Sequence, residues 1–365
     1  MKPLQTSCIP NNRKKIRLLL LLAVLTAVLA LLSLALGSVW LPPDQVLSAL
    51  LGGSRDSTAA QILLFARLPR TLGCLLAGAA LAASGAVIQS VLNNPLAAPN
   101  IIGVNSGAGF AVALCGAFGS LAASGGVLSS VAPVAAANSA SAAASAALLT
   151  PVFAFLGALF GIFLVLFLAE RTGASKLTLV LAGLAISGIF SAATDAVVTF
   201  VPDALLGYSD FRIGGLSGLS MERVLPALWI ILPALLILLL LTNELDLLML
   251  GTETAQSLGL RAKPVRLLLL ALAAALAGAA VSFCGLLGFI GIIVPHILRR
   301  LIGEESKFLL PGSILGGAAF LTFCDILARV LFSPYELPVG IVLSLLGGPF
   351  FLWLLFRQRG GRTHD

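Results

Sequence analysis

Two carboxylates and one histidine stand where the chain is otherwise nearly free of charge. Asp195 lies in TDAVVTF and Asp325 in FCDILARV, both inside apolar runs long enough to cross a bilayer. A carboxylate in hydrocarbon is costly, so each is expected to face protein or a water-filled path and to mark the bundle interior. Such groups could relay protons. A simpler use exists for Asp325, because Arg329 follows four residues later and an i,i+4 ion pair fits one helix. His296 follows Pro295 in GLLGFIGIIVPHILRRLIG, where it crowds the end of a span with Arg299 and Arg300. The other histidine, His364, sits in the terminal tail. An isolated histidine has no acid–base partner, so a structural or gating cluster is expected there and catalysis is not.

Absences narrow the chemistry further. There is no GxxxxGK[ST] phosphate loop and no HExxH, so the sequence gives no sign of its own nucleotide hydrolysis or zinc chemistry. The five cysteines, at 8, 74, 115, 284 and 324, form no CxxC, and the last four lie in apolar surroundings that suit packing.

Two charged or small-residue patterns suit contact with other macromolecules. In RLPR, Arg67 and Arg70 flank a chain stiffened by Pro69 just before a predicted span. Such fixed charges suit an acidic partner surface, or anchorage on lipid headgroups. The segment NELDLLMLGTETAQSLGLRAKPVR, from Asn243, carries Gly251, Ala255 and Gly259 at intervals of four. On a helix that spacing makes one smooth face that another protein can approach closely; a plain amphipathic connector is the alternative.

The elements that position these residues follow from composition. Of 365 residues, 59% are hydrophobic and 10% charged, against about 25% charged in soluble domains. Thr71 to Ala169 contains no Asp, Glu, Lys, Arg or His. An apolar helix of about 20 residues spans the bilayer, and spans are predicted near 18–37, 71–91, 101–118, 150–169, 178–200, 225–243, 266–284, 286–302, 311–331 and 337–356. The seventh and eighth share one long apolar tract interrupted by Gly and Cys. The first run follows Arg13, Lys14, Lys15 and Arg17 like a signal peptide, but its length favours a retained span. With the N-terminus inside, 16 of the 22 basic residues fall on the cytoplasmic side, which predicts both termini there. The +7 charge therefore reflects basic loops and not nucleic-acid binding. Residues 120–149, rich in Ala and Ser, are expected to be mostly an extracytoplasmic connection. Gly157 with Gly161, Gly312 with Gly316, and Gly103, Gly107 and Gly109 suit close helix packing, and the last group could instead permit a helix break or movement.

Several stretches in order resemble one family: RLPR at 67–70, AGAALAASGAVIQSVLNNPLAAPNIIGVNSGAG at 77–109, LGTETAQSLGL at 250–260, GLLGFIGIIVPHILRRLIG at 285–303 and LPVGIVLSLLGGPFFLWLL at 337–355. The chain resembles the permease subunits of bacterial ABC importers for iron(III) siderophores, haem and vitamin B12. The resemblance implies an all-α integral membrane fold of about ten transmembrane helices, of the type II importer kind, over residues 1–365. Short cytoplasmic tails at 1–17 and 357–365 and a cytoplasmic coupling loop at about 243–265 complete that expectation.

The same resemblance implies the partners: a cytoplasmic ATPase dimer, an extracytoplasmic substrate-binding protein, and a second permease subunit, identical or similar. ATP and magnesium would sit on the ATPase, and this chain would bind no cofactor and no metal. Gly251, Glu253, Ala255 and Gly259 would couple to the ATPase. Arg67, Arg70 and, less firmly, Arg329 would meet acidic residues of the binding protein. Asn94, Pro95, Asn105, Gly107, Pro295, His296 and Arg299 would line or gate the path. The expected product is a multi-pass bacterial inner-membrane subunit, not itself an enzyme, carrying ferric siderophores; haem and vitamin B12 are the alternatives within the family, and an ion- or proton-coupled secondary transporter is the alternative outside it. Two departures stand out: the long small-residue stretch at 120–149, and FRIGGLSG at 211–218, where relatives often have a tryptophan before the glycines.

Overall fold

A computed structural model describes residues 12–37, 58–123, 139–171, 176–331, 333 and 335–359, and these are helical, with no strand among them. Cys8, Arg55, Arg362 and His364 lie outside the described residues. In chain order the helices are α1 Asn12–Ala35, α2 Leu68–Leu92, α3 Val104–Ala123, α4 Ser139–Arg171, α5 Lys176–Phe200 and α6 Ala204–Ile213. There follow α7 Met221–Leu240, α8 Thr242–Met249, α9 Thr252–Ser257, α10 Ala262–Cys284, α11 Ile290–Ile302, α12 Ser306–Val330 and α13 Val339–Arg359. Each of the ten predicted spans overlaps one of these helices. Eight helical stretches are long and apolar enough to cross a membrane, and Val339–Leu354 is a shorter apolar one.

Composition decides which helix sits where. The first span is apolar on all sides and only 17% of it is buried, as suits a helix facing lipid. The stretch Ile62–Leu92 is 83% buried and forms the centre, packed on α10, α11 and α12. Its small residues allow that position: a Cβ at Gly78 would strike the Gly317 carbonyl of α12, and one at Gly85 would strike Gly291 of α11. Lipid supplies no hydrophobic force between helices, so such backbone-to-backbone contact holds the bundle. Gly107 of α3 likewise lies against Gly157 and Gly161 of α4, which makes these glycines packing surfaces.

Three predicted boundaries change. The helix around RLPR begins at Thr58, so residues 67–70 lie within a helix and not ahead of one; a π-helical turn at Ile62–Arg67 precedes Pro69, which has no N–H to offer the ladder. The small-residue connection is shorter than 120–149, because α3 runs to Ala123 and α4 starts at Ser139. The eighth span begins at Ile290, leaving a helix of 13 residues, about 20 Å long. Irregular backbone at membrane depth must be satisfied by protein, and FRIGGLSG does this. Leu286 N–H donates to Phe211 O (2.9 Å), Gly215 N–H to Cys284 O (2.9 Å), and Gly340 N–H to Gly214 O (3.2 Å).

Candidate functional site

One end of the bundle carries a buried ionic cluster. Arg70 on α2 donates through Nε to both oxygens of Asp325 on α12 (3.0 and 3.2 Å) and through Nη1 to Glu336 (2.6 Å). Arg329 lies one turn beyond Asp325 and pairs with it at 3.0 Å, the expected i,i+4 bridge. Its Nη2 also donates to Ser33 Oγ (2.7 Å), and its Nη1 to the Ser33 and Leu36 carbonyls at the end of α1. Arg67 caps the same helix end, with Nη1 donating to the Leu34 and Ala35 carbonyls at 2.7 Å. Orphan carbonyls at a helix C-terminus are natural sites for cations.

The three arginines expected to meet a binding protein are therefore not free surface charges in this subunit. Arg67, Arg70 and Arg329 are 5%, 8% and 2% exposed, and their donors are engaged within the subunit. The reason is stoichiometric: Asp325 is fully buried, and a buried carboxylate is tolerable only when paired and hydrogen-bonded. Asp195 behaves oppositely. It is exposed on the surface of this subunit, so it does not mark the interior of its own bundle.

At the other end, α8 and α9 form a short platform. The predicted small-residue face does not form, because α9 is only six residues long and Gly251 and Gly259 lie outside it. Both have positive φ, 105° and 87°, and a Cβ at either would meet open space, so conformation and not crowding selects glycine. Gly259 closes a Schellman turn, with its N–H donating to Gln256 O and that of Leu260 to Ala255 O. Ala255 is fully buried and packs inward, while Thr252, Glu253, Thr254, Gln256, Ser257 and Leu258 are exposed. What faces outward is therefore mostly polar, with two large apolar side chains at its ends, Leu250 and Leu258, 61% and 59% exposed.

The platform is tied to the bundle at two points that the sequence did not reveal. Asp246 on α8 accepts from Ser306 N–H at the start of α12 (3.0 Å), and Asn93 after α2 donates to Met249 O (3.0 Å). A third tie nearby joins Lys15 of α1 to Glu305 at 2.8 Å, with the ammonium over the Phe308 ring.

The residues assigned to the path are spread over several helices. Asn94 Oδ1 accepts from Leu96 N–H, forming an Asx turn around the exposed Pro95. Asn105 is half-buried on α3, and Gly107 serves packing. Pro295 is buried in α11; His296 meets Phe350 of α13 edge-on, and Arg299 donates to Ser90 Oγ of α2 (2.8 Å). Among the described residues no group of three or more His, Cys, Asp or Glu is placed to hold a metal ion. Cys74, Cys115, Cys284 and Cys324 are free thiols, buried or half-buried, as packing residues should be.

The model of the FecCD transport family matches residues 25–357, nearly the whole helical bundle. The chain belongs to the FecCD transport family. Among its relatives, the hemin transport system permease protein HmuU of Yersinia pestis is 39% identical over 357 residues, 97% of this chain and 99% of that protein. The vitamin B12 import system permease protein BtuC of Klebsiella pneumoniae is 35% identical, covering 96% of each chain. The Fe(3+)-citrate import system permease protein YfmE of Bacillus subtilis is 36% identical, covering 94% of this chain and 96% of that one. Among solved structures, an inward-facing metal-chelate type ABC transporter superposes with a TM-score of 0.75 at 31% identity, over 93% of this chain and 99% of that one. Membership of the FecCD family thus joins the all-helical architecture to a transport role, and it rests on full-length similarity and not on isolated motifs.

Proposed function

We propose that this FecCD-family chain is the membrane-spanning permease subunit of a binding-protein-dependent ABC importer that carries ferric siderophores inward on ATP hydrolysed by a separate subunit. The observation that carries this reading is the platform of α8 and α9, taken with full-length similarity to permeases of haem, iron-citrate and vitamin B12 systems. A short helix presenting polar side chains and Leu258, preceded by α8 with its ties to Asn93 and Ser306, suits an element that a cytoplasmic motor pushes. Gly251, Glu253, Ala255 and Gly259 then serve coupling in different ways: Glu253 by contact, Ala255 by anchoring, and the two glycines by shaping the turns.

A second permease subunit fits the exposed side of α5. That side brings Ala185, Gly188, Ser191, Asp195 and Thr199 to the surface of one chain. A carboxylate facing hydrocarbon is costly, so this face meets either a second subunit or the water-filled path between the two. Both termini and the platform lie in the cytoplasm, and the arginine cluster lies at the opposite, extracytoplasmic end. Transport is then positional. Each partner shifts the equilibrium between outward and inward access only by binding one state more tightly.

The test is reconstitution in proteoliposomes with the ATPase and the substrate-binding protein, comparing uptake of ferric siderophore, haem and cobalamin. ATP-dependent uptake of ferric siderophore supports the whole reading. Preference for haem or cobalamin corrects only the substrate, and uptake driven by an ion gradient without the ATPase rejects the importer.

A further inference from the structure

Within the arginine cluster, Glu336 differs from every other member. Asp325 has a fully buried side chain and already serves two guanidinium groups, those of Arg70 and Arg329. The Glu336 side chain is 28% exposed, lies outside the helices on the segment between α12 and α13, and contacts the cluster through the Nη1 edge of Arg70. Three guanidinium groups against Asp325 alone would leave two positive charges in this cluster; Glu336 removes one of them. A cavity of about 620 Å³ opens beside this pair, lined also by Arg223, Asp210, Phe211 and Pro338.

We propose that Glu336 is a placeholder carboxylate: it holds the donor edge of Arg70 until an acidic side chain of the substrate-binding protein enters the adjoining cavity and takes its place. This rests on the reading that a binding protein docks at this end. Guanidinium offers a planar set of donors that accepts one carboxylate for another at little geometric cost. Arg70 stays in position during the exchange because its Nε remains on Asp325. The placeholder keeps the mouth from presenting excess positive charge to other anions, which is specificity by competition.

The experiment titrates the loaded substrate-binding protein onto the permease–ATPase complex in nanodiscs, at low and physiological salt. Glu336→Gln should bind about tenfold more tightly at low salt, equivalent to about 1.4 kcal/mol, with a smaller gain at physiological salt. Glu336→Asp keeps the charge on a shorter arm and should show a smaller gain, which serves if the glutamine variant is not recovered folded. Combining Arg70→Gln with Glu336→Gln should abolish the gain relative to Arg70→Gln alone. Unchanged or weaker binding by folded Glu336→Gln, or a gain that survives loss of Arg70, overturns the placeholder while leaving docking intact. Absence of binding by the wild type and every variant overturns docking and the placeholder together.

Discussion

The two ends of the bundle solve opposite problems. At the arginine end, Arg67, Arg70, Arg329, Asp325 and Ser33 satisfy one another across α1, α2 and α12, and only Glu336 is appreciably exposed. At the platform end, α9 turns its polar groups and Leu258 outward, and the preceding α8 is held by two hydrogen bonds from elsewhere, at Asp246 and Met249. The first end keeps its shape through internal charge pairing; the second presents an exposed, mostly polar surface. Charge in a membrane protein therefore does not by itself mark a free surface, because this cluster is satisfied largely within the subunit.

The sharpest way to break this comparison is to remove the shared carboxylate. Asp325→Ala leaves two buried guanidinium groups without their common partner, at a cost of about 3–5 kcal/mol. Thermal unfolding in detergent should show a large loss of stability, and a near-native transition would mean that the cluster does not hold the fold. Next in size is Gly85→Val, whose side chain would collide with Gly291. It should cost about 1–3 kcal/mol through overpacking in the same assay. Asp246→Ala removes a side-chain cap from α12 and should cost about 1 kcal/mol; if the platform transmits force through this tie, ATP hydrolysis should also become less dependent on the binding protein. The smallest effect on stability belongs to Leu258→Ser, within about 0.5 kcal/mol because the site is exposed. Copurification with the ATPase should nevertheless fall, and unchanged copurification would remove Leu258 from the contact.

Most of the predicted spans were legible because long apolar runs have one stable solution in lipid, and eight helical stretches are long and apolar enough to cross it. The Asp325–Arg329 pair was legible from its spacing. What lay hidden depends on distance in the chain: nothing local announces that Arg70 meets a carboxylate 255 residues away or that Ser33 receives Arg329. Intervals of four suggested a helical face through Gly251, Ala255 and Gly259, but glycine also ends helices, and positive φ at both positions decides for that use. FRIGGLSG stood out only for lacking the tryptophan that relatives often have, yet its backbone satisfies the break before α11, a role carried by N–H and C=O groups common to nearly every residue type.

The central claim is that α9 is the surface on which a separate cytoplasmic motor acts. A cysteine in place of Leu258, in an otherwise cysteine-free background, can be probed in inverted and right-side-out vesicles with a membrane-impermeant maleimide and then cross-linked. The claim predicts labelling from the cytoplasmic side alone, protection by the bound ATPase, and a cross-link to it. Labelling from the outside, with no protection and no cross-link, would contradict it.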